Sequence, residues 1–290
     1  MLVNLKEILS RAEEGNFAVG AFNSPTLESA RAAIEAAEEL QAPVILSHAE
    51  VHFDITPLEI MGPILVQLAR NASIPVTVHL DHGSSLENVK KAIDIGFSSV
   101  MIDASHLNYE ENVRVVQEVV AYAKDKNVSV EAELGMMTSS GIGGEEGSVH
   151  VNGDSVDYYT DPEIAKDFVR RTQIDGLAAS FGTVHGIYLK EPNLDFDRLR
   201  QIYQNIQRPV VMHGGSGLSE EEYIEAIQSG VRKINYYSYS AKAGAEAVRD
   251  YTKTETNIFF HDLAVVAKES MKKDIKRAIE IFLNKRKIIK

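Results

Sequence analysis

Asp81 and His82 stand side by side at the end of an apolar run, Val76 to Gly83, VTVHLDHG. An acid and an imidazole at the end of a strand can supply a proton-transfer group and a metal ligand at one point. The same pair can also be a helix-capping acid beside a hydrogen-bonded histidine. Other apolar runs end on the same residue types. Asp103 ends one, Glu131 and Glu133 lie in the next, and His185 follows in SFGTVHG (180–186). His213 lies in VMHGGSG (211–217), and Asn235 closes the last run. Three histidines with carboxylates nearby form a donor set for a catalytic Zn²⁺ with an open coordination position. The chain has no cysteine, so a metal must rest on histidine, carboxylate or carbonyl oxygen. His79 falls inside its run and reads as a core or supporting residue. His48 and His52 follow the second run and could line the same region, without an assigned role. His261 reads as structural.

These residues converge only if the elements carrying them do. Eight times, a short apolar run precedes an amphipathic stretch. The strand candidates are 17–22, 43–47, 76–80, 99–103, 129–134, 176–180, 209–213 and 231–235. Helical patterns follow at 27–40, 57–70, 86–95, 109–125, 161–172, 195–205, 219–229 and 240–250. Strict alternation predicts a parallel sheet, and eight units predict a closed (β/α)8 barrel with its chemistry at the carboxyl ends of the strands. A doubly wound sheet is the alternative, but no GxGxxG follows the first strand candidate. Residues 259–282 predict an extra C-terminal helix, and residues 1–290 read as one domain.

Two further stretches bear on ligands. Gly214, Gly215 and Ser216 follow the seventh strand candidate, and Asn235 to Ser238 end the eighth. Barrels often bind phosphate there through backbone N–H groups and a helix N-terminus, although a plain turn also explains the glycines. The long stretch Gly135–Asp157 contains GGEEG (143–147) and reads as a lid carrying Glu145 and Glu146.

The net charge of −12 argues against a nucleic-acid partner, and the basic tail Lys285–Lys290 reads as a solvated helix end. No run is apolar enough to span a membrane, and MLVNLKEILSRAEE is not a secretory signal, so a cytoplasmic location is expected.

The motifs HLDHG (79–83), MIDASH (101–106), EAELG (131–135), GGEEG (143–147) and GTVHG (182–186) resemble those of the zinc-dependent class II ketose-bisphosphate aldolases. EPNLDF (191–196), HGGSGL (213–218) and KIN (233–235) continue the pattern in family order. The resemblance implies a TIM barrel that cleaves a phosphorylated ketose of the fructose- or tagatose-bisphosphate type to dihydroxyacetone phosphate and an aldehyde. It implies that His82, His185 and His213 bind Zn²⁺, with Asp103 and Glu133 holding the metal in a displaced state. Asp81 would move the proton of the hydroxyl at the broken bond, and Glu146 would protonate the enediolate carbon. Gly186, Gly214, Gly215, Ser216, Asn235, Tyr236, Tyr237 and Ser238 would bind the dihydroxyacetone-phosphate half. Gly186 and its neighbours would offer carbonyls to Na⁺ or K⁺, and a homodimer or homotetramer is implied.

The residues fit this chemistry independently, since a divalent ion can stabilise an enediolate as a Lewis acid. The other device is a lysine Schiff base, for which Lys233 has the inward parity of Asn235. A metal-dependent barrel hydrolase would usually carry HxH on its first strand, but 17–24 contains no histidine. A non-catalytic sugar-phosphate-binding protein would not be expected to keep Asp81, Glu146 and all three histidines. Departures from the family pattern concern the substrate. Ala49 stands where many members have serine, Leu189-Lys190 where many have Lys-Gly, and Tyr236-Tyr237 where smaller residues are usual. Met136–Ile142 lengthens the stretch before GGEEG. No residue is assigned to a second phosphate, for which Arg249 is a candidate.

Overall fold

The computed structural model describes residues 1–135, 138–139, 158–189 and 191–284. Its centre is a closed parallel barrel in the order β1, β2, β3, β4, β5, β7, β9, β10 and back to β1. The strands are β1 (Val19–Asn23), β2 (Val44–Ala49), β3 (Val76–Gly83), β4 (Ser99–Ile102) and β5 (Ser129–Leu134). β7 (Gly176–Ala179), β9 (Val210–Met212) and β10 (Val231–Asn235) complete it. All eight strand candidates are therefore present in a (β/α)8 TIM barrel, seven of them within two residues of their expected ends, while β3 runs three residues further than expected, to Gly83.

The helices form because their apolar residues recur at helical spacing and their first turns are capped. Thr26 and Ser219 form capping boxes with Ser29 and Glu222, at the starts of α2 (Leu27–Leu40) and α8 (Glu220–Gln228). Ser85 caps α4 (Leu86–Ile95), directly after the Asp81–His82 stretch. The anticipated C-terminal helix is α10 (Phe260–Phe282), packed on α2 and on α9 (Ser238–Thr254).

Two elements were not anticipated. α1 (Leu5–Gly15) lies across the amino-terminal ends of the strands and closes the barrel floor. Leu5, Ile8 and Leu9 are fully buried there with Val19, Ala21 and Ile45, each large side chain contributing about 1.5–3 kcal/mol. Its signal was present: Asn4 is an N-cap ahead of Leu5, Ile8, Leu9 and Ala12 at helical spacing. The second is a two-stranded parallel ribbon, β6 (Thr138–Ser139) with β8 (Val184–His185), which stands outside the barrel sheet.

Inside the barrel the layers change character with height. The small apolar cluster Met101, Ala178 and Val211 fills one level. The buried His79, Glu131 and Lys233 form a polar cluster, with Asp81 next along β3 from His79. Among the described residues, no helix is long and apolar enough to cross a membrane.

Candidate active site

Regular strand geometry alone would point Asp81 and His82 to opposite faces of the sheet, because side chains alternate along a strand. A register irregularity against β4 between Leu80 and Gly83 breaks that alternation. His82 has φ 44°, the left-handed region that costs a non-glycine residue about 1 kcal/mol or more. The bulge re-aims His82 into the mouth beside Asp81. Gly83 is required next to it, since a Cβ there would lie 2.7 Å from the Met101 carbonyl oxygen.

His82, His185 and His213 are buried, and their ligand nitrogens lie within 4.8 Å of one another. The ring nitrogens have defined roles. His82 Nδ1 faces Asp103 Oδ2 at 2.9 Å, and His213 Nε2 faces Glu131 Oε1 at 2.9 Å. A carboxylate only accepts, so each of these nitrogens donates. The remaining nitrogens, His82 Nε2 and His213 Nδ1, point at each other across 2.8 Å. Two lone pairs at that separation repel unless a proton or a cation lies between them. Burial opposes a charge on His82, but Asp81, Asp103 and Glu133 outweigh it and raise the imidazole to about 10. The pocket therefore favours a positive charge at this point. His185 sits in β8 and, among the described residues, has no hydrogen-bond partner at either ring nitrogen, although both are buried. Burial first, and then His82, holds it well below the usual imidazole range, so it is neutral and free to ligate. The unpartnered His185 nitrogens and the facing pair His82 Nε2 and His213 Nδ1 fit a metal ion bound by these three histidines.

A second donor group, His82 with Asp103 and Glu133, shares His82 with the first. Glu133 Oε2 is buried without a partner among the described residues, and burial followed by the charge of Asp103 pushes its pKa well above the usual carboxylate range. A third group, His79, Asp81 and Glu131, has metal-like spacing but already holds a cation. Lys233 Nζ lies 2.9 Å from both Glu131 oxygens, and all of these side chains are fully buried. Lys233 thus keeps Glu131 ionised beneath the site, and Glu131 in turn orients His213. Replacing Lys233 with Met strands a buried carboxylate. We expect about 3–5 kcal/mol of destabilisation in a urea titration, and an unchanged midpoint would contradict the pairing.

Asp81 is fully buried beside the histidines. Asn23 Nδ2 donates to it at 2.9 Å, and Asn235 Nδ2 donates at 3.1 and 3.3 Å. Burial opposes its charge, but His82, His213 and Lys233 together hold it far below the usual range. It is a carboxylate with fixed orientation at the metal pocket.

The profile of the family "Fructose-bisphosphate aldolase class-II" matches residues 3–287. The chain belongs to the class II fructose-bisphosphate aldolase family. The fructose-bisphosphate aldolase of Staphylococcus aureus is 40% identical over 287 residues, 97% of each chain. That of Geobacillus stearothermophilus is 42% identical over 263 residues, covering 89% of this chain and 88% of the relative. The crystal structure of the YdjI aldolase from Escherichia coli superposes with a TM-score of 0.85 at 32% identity, over 97% of each chain. The enzyme is thus a lyase of a family that acts on phosphorylated sugars with a divalent metal.

The glycine stretches of this aldolase meet at the rim. Gly214 has φ 63°, and a Cβ on it would run into the backbone of Val184, so the loop after β9 lies directly against the ribbon carrying His185. Gly186 follows His185 with φ 93°. Tyr188 accepts from the Val184 N–H and donates to the Gly214 carbonyl, and Tyr223 donates to the Gly215 carbonyl. Ser216 Oγ accepts from the Tyr237 N–H at 2.9 Å, joining the loops after β9 and β10. Ser238 starts α9, whose N-cap residue Tyr237 makes no side-chain cap and whose first turn has no acid.

Tyr236 departs from expectation. Asn235 faces the barrel interior, so Tyr236 alternates outward. Its hydroxyl donates to Asp274 Oδ2 at 2.9 Å, and its ring packs between Phe22 and Phe282. Its side chain belongs to the helix layer and does not reach the mouth. Arg249 lies about 16 Å along α9 from Ser238 at 1.5 Å per residue, exposed beside Asp250. Glu145 and Glu146 lie outside the described residues. Asn23 joins the site beyond the expected residues, with the same signal of a polar residue closing an apolar strand, and Glu131 and Lys233 join it as the pair that orients His213.

Proposed function

We propose that the protein is a zinc-dependent aldolase that reversibly cleaves a phosphorylated ketose to dihydroxyacetone phosphate and an aldehyde. The observation that carries this reading is the meeting of three buried histidine nitrogens beside an ionised, doubly hydrogen-bonded Asp81 in a chain of this family. Zn²⁺ held by His82, His185 and His213 would polarise the ketone carbonyl and stabilise the charge left by bond cleavage. Asp103 and Glu133 would hold the ion in a displaced position. Asp81 accepts the proton of the hydroxyl at the bond that breaks, and Asn23 and Asn235 keep its carboxylate in place. The backbone N–H groups of Gly214, Gly215 and Ser216, with that of Ser238 at the start of α9, hold the phosphate, and the Tyr237 N–H, bonded to Ser216 Oγ, fixes the two loops around it. Na⁺ or K⁺ would sit at the carbonyls near Gly186.

The chain would act as a single-domain, cytoplasmic homodimer or homotetramer in carbohydrate metabolism. Fructose or tagatose bisphosphate is the first substrate to test. A different ketose 1-phosphate is the second reading, because Ala49 lies in register with Asp81 and leaves a methyl group beside it. A panel of phosphorylated ketoses assayed for aldehyde release, with and without added Zn²⁺, tests the reading. Absence of release from every member would refute it.

Glu146 is proposed as the acid at the enediolate carbon, on its place in GGEEG. Exchange of one carbon-bound hydrogen of dihydroxyacetone phosphate with deuterated water needs no aldehyde. Glu146→Gln is expected to suppress this exchange by ~10²–10⁴-fold, and Glu145→Gln to do much less. The opposite ranking by NMR would transfer the role to Glu145.

A further inference from the structure

His52 is a buried titratable side chain that the reaction as described does not use. It lies in the 3-10 turn Glu50–His52 directly after β2, is 8% exposed, and its Nδ1 is buried without a hydrogen-bond partner among the described residues. Such an atom in a binding mouth marks a place that a ligand group completes.

Its surroundings place it on the Asp81 side of the mouth. β2 ends at Ala49, which pairs in register with Asp81. Glu50 holds the turn in position by accepting from the backbone N–H and the hydroxyl of Ser84, just past His82 and Gly83. The His52 ring packs against the Tyr237 ring with centroids 4.8 Å apart. Tyr237 is itself held at the rim by Ser216. The two rings therefore bridge the ends of β2 and β10, on either side of β1, where Asn23 and Asn235 both grip Asp81. The Asp81 carboxylate acts electrostatically on the His52 ring, although burial is the stronger influence and keeps the imidazole below its ordinary pKa. A neutral imidazole can donate or accept.

We propose that His52, braced by Tyr237, is a specificity-determining residue that hydrogen-bonds the hydroxyl on C2 of the aldehyde half, one carbon beyond the hydroxyl that Asp81 deprotonates. This rests on the aldolase reading. Ala49 has no polar atom to offer at that position, and His52, three residues later on the same turn, supplies one. The preferred aldehyde half is therefore a 2-hydroxyaldehyde.

The test uses the intact zinc enzyme in the condensation direction, with dihydroxyacetone phosphate and either lactaldehyde or propanal, which differ by that one hydroxyl. His52→Phe keeps a ring against Tyr237 but removes the nitrogens. His52→Asn restores a polar group near the position of Nδ1. In His52→Phe the lactaldehyde-to-propanal ratio of kcat/KM is expected to fall about tenfold or more, with substantial recovery in His52→Asn. Hydrogen exchange on dihydroxyacetone phosphate alone should stay within about twofold, since no aldehyde takes part. An unchanged ratio, or an equal loss with both aldehydes and in exchange, would overturn the assignment and leave His52 as a packing residue. A wild-type enzyme with neither exchange nor condensation would instead refute the aldolase reading itself.

Discussion

Stripping the metal with a strong chelator is expected to silence carbon–carbon cleavage, on the order of 10³-fold or more, and Zn²⁺ is expected to restore it. The mouth is built around a positive charge. His82 Nε2 and His213 Nδ1 face each other at 2.8 Å, each directed there by a carboxylate on its far nitrogen. Without a cation, a proton must fill that place, and a proton on an imidazole cannot polarise a ketone as a metal does. The competing device is a covalent lysine adduct. Lys233 is poorly suited to it, because its ammonium is fully buried and bound to both oxygens of Glu131 at 2.9 Å. Borohydride added with substrate should therefore trap nothing. Residual cleavage after chelation, or a trapped adduct on Lys233, would refute the metal mechanism.

Asp81→Asn is expected to lower cleavage by ~10²–10⁴-fold while leaving the bound Zn²⁺ near one ion per chain. The substitution keeps the shape of the side chain and one oxygen for Asn23 or Asn235. It removes the charge that accepts the substrate proton. The site differs from a simple ligand sphere at this point. His79 Nε2 is 3.9 Å from Asp81 Oδ1, and the carboxylate accepts from the amides of Asn23 and Asn235 rather than from the metal-binding histidine nitrogens. Metal content by atomic absorption, measured beside the rate, decides the role. A fall in metal that tracks the fall in activity would make Asp81 a ligand or a scaffold residue and not a proton acceptor.

Local chemistry made most of the frame legible in the sequence. β-branched runs such as Val76–Leu80 and caps such as Ser85 and Ser219 act over a few residues, so strands and helices could be placed without tertiary information. The eight-fold alternation then selected the barrel, and the barrel rule put polar strand ends at one mouth. Tyr236 could have been excluded the same way, since strand alternation alone turns it from the side Asn235 faces. α1 was legible too, from the N-cap Asn4 and a helical apolar spacing.

Other features depended on atoms brought together from distant parts of the chain. Alternation along β3 would have separated Asp81 from His82, and only the bulge against β4 with φ 44° at His82 puts both in the mouth. His185 is positioned by a ribbon outside the barrel sheet, a pairing of two-residue strands too short to carry a sequence pattern. Which nitrogen of His213 is free to ligate is set by Glu131, and the charge of Glu131 is sustained by Lys233, 102 residues away in sequence. His52 and Tyr237 meet only because barrel closure brings the ends of β2 and β10 to either side of β1. The sequence alone thus determined which residue types were available and on which elements they stand, because propensity, capping and alternation are local. The tertiary structure decided which of them share a proton, a cation or a substrate hydroxyl, because those interactions depend on distances of about 3 Å between groups that only closure of the barrel brings together.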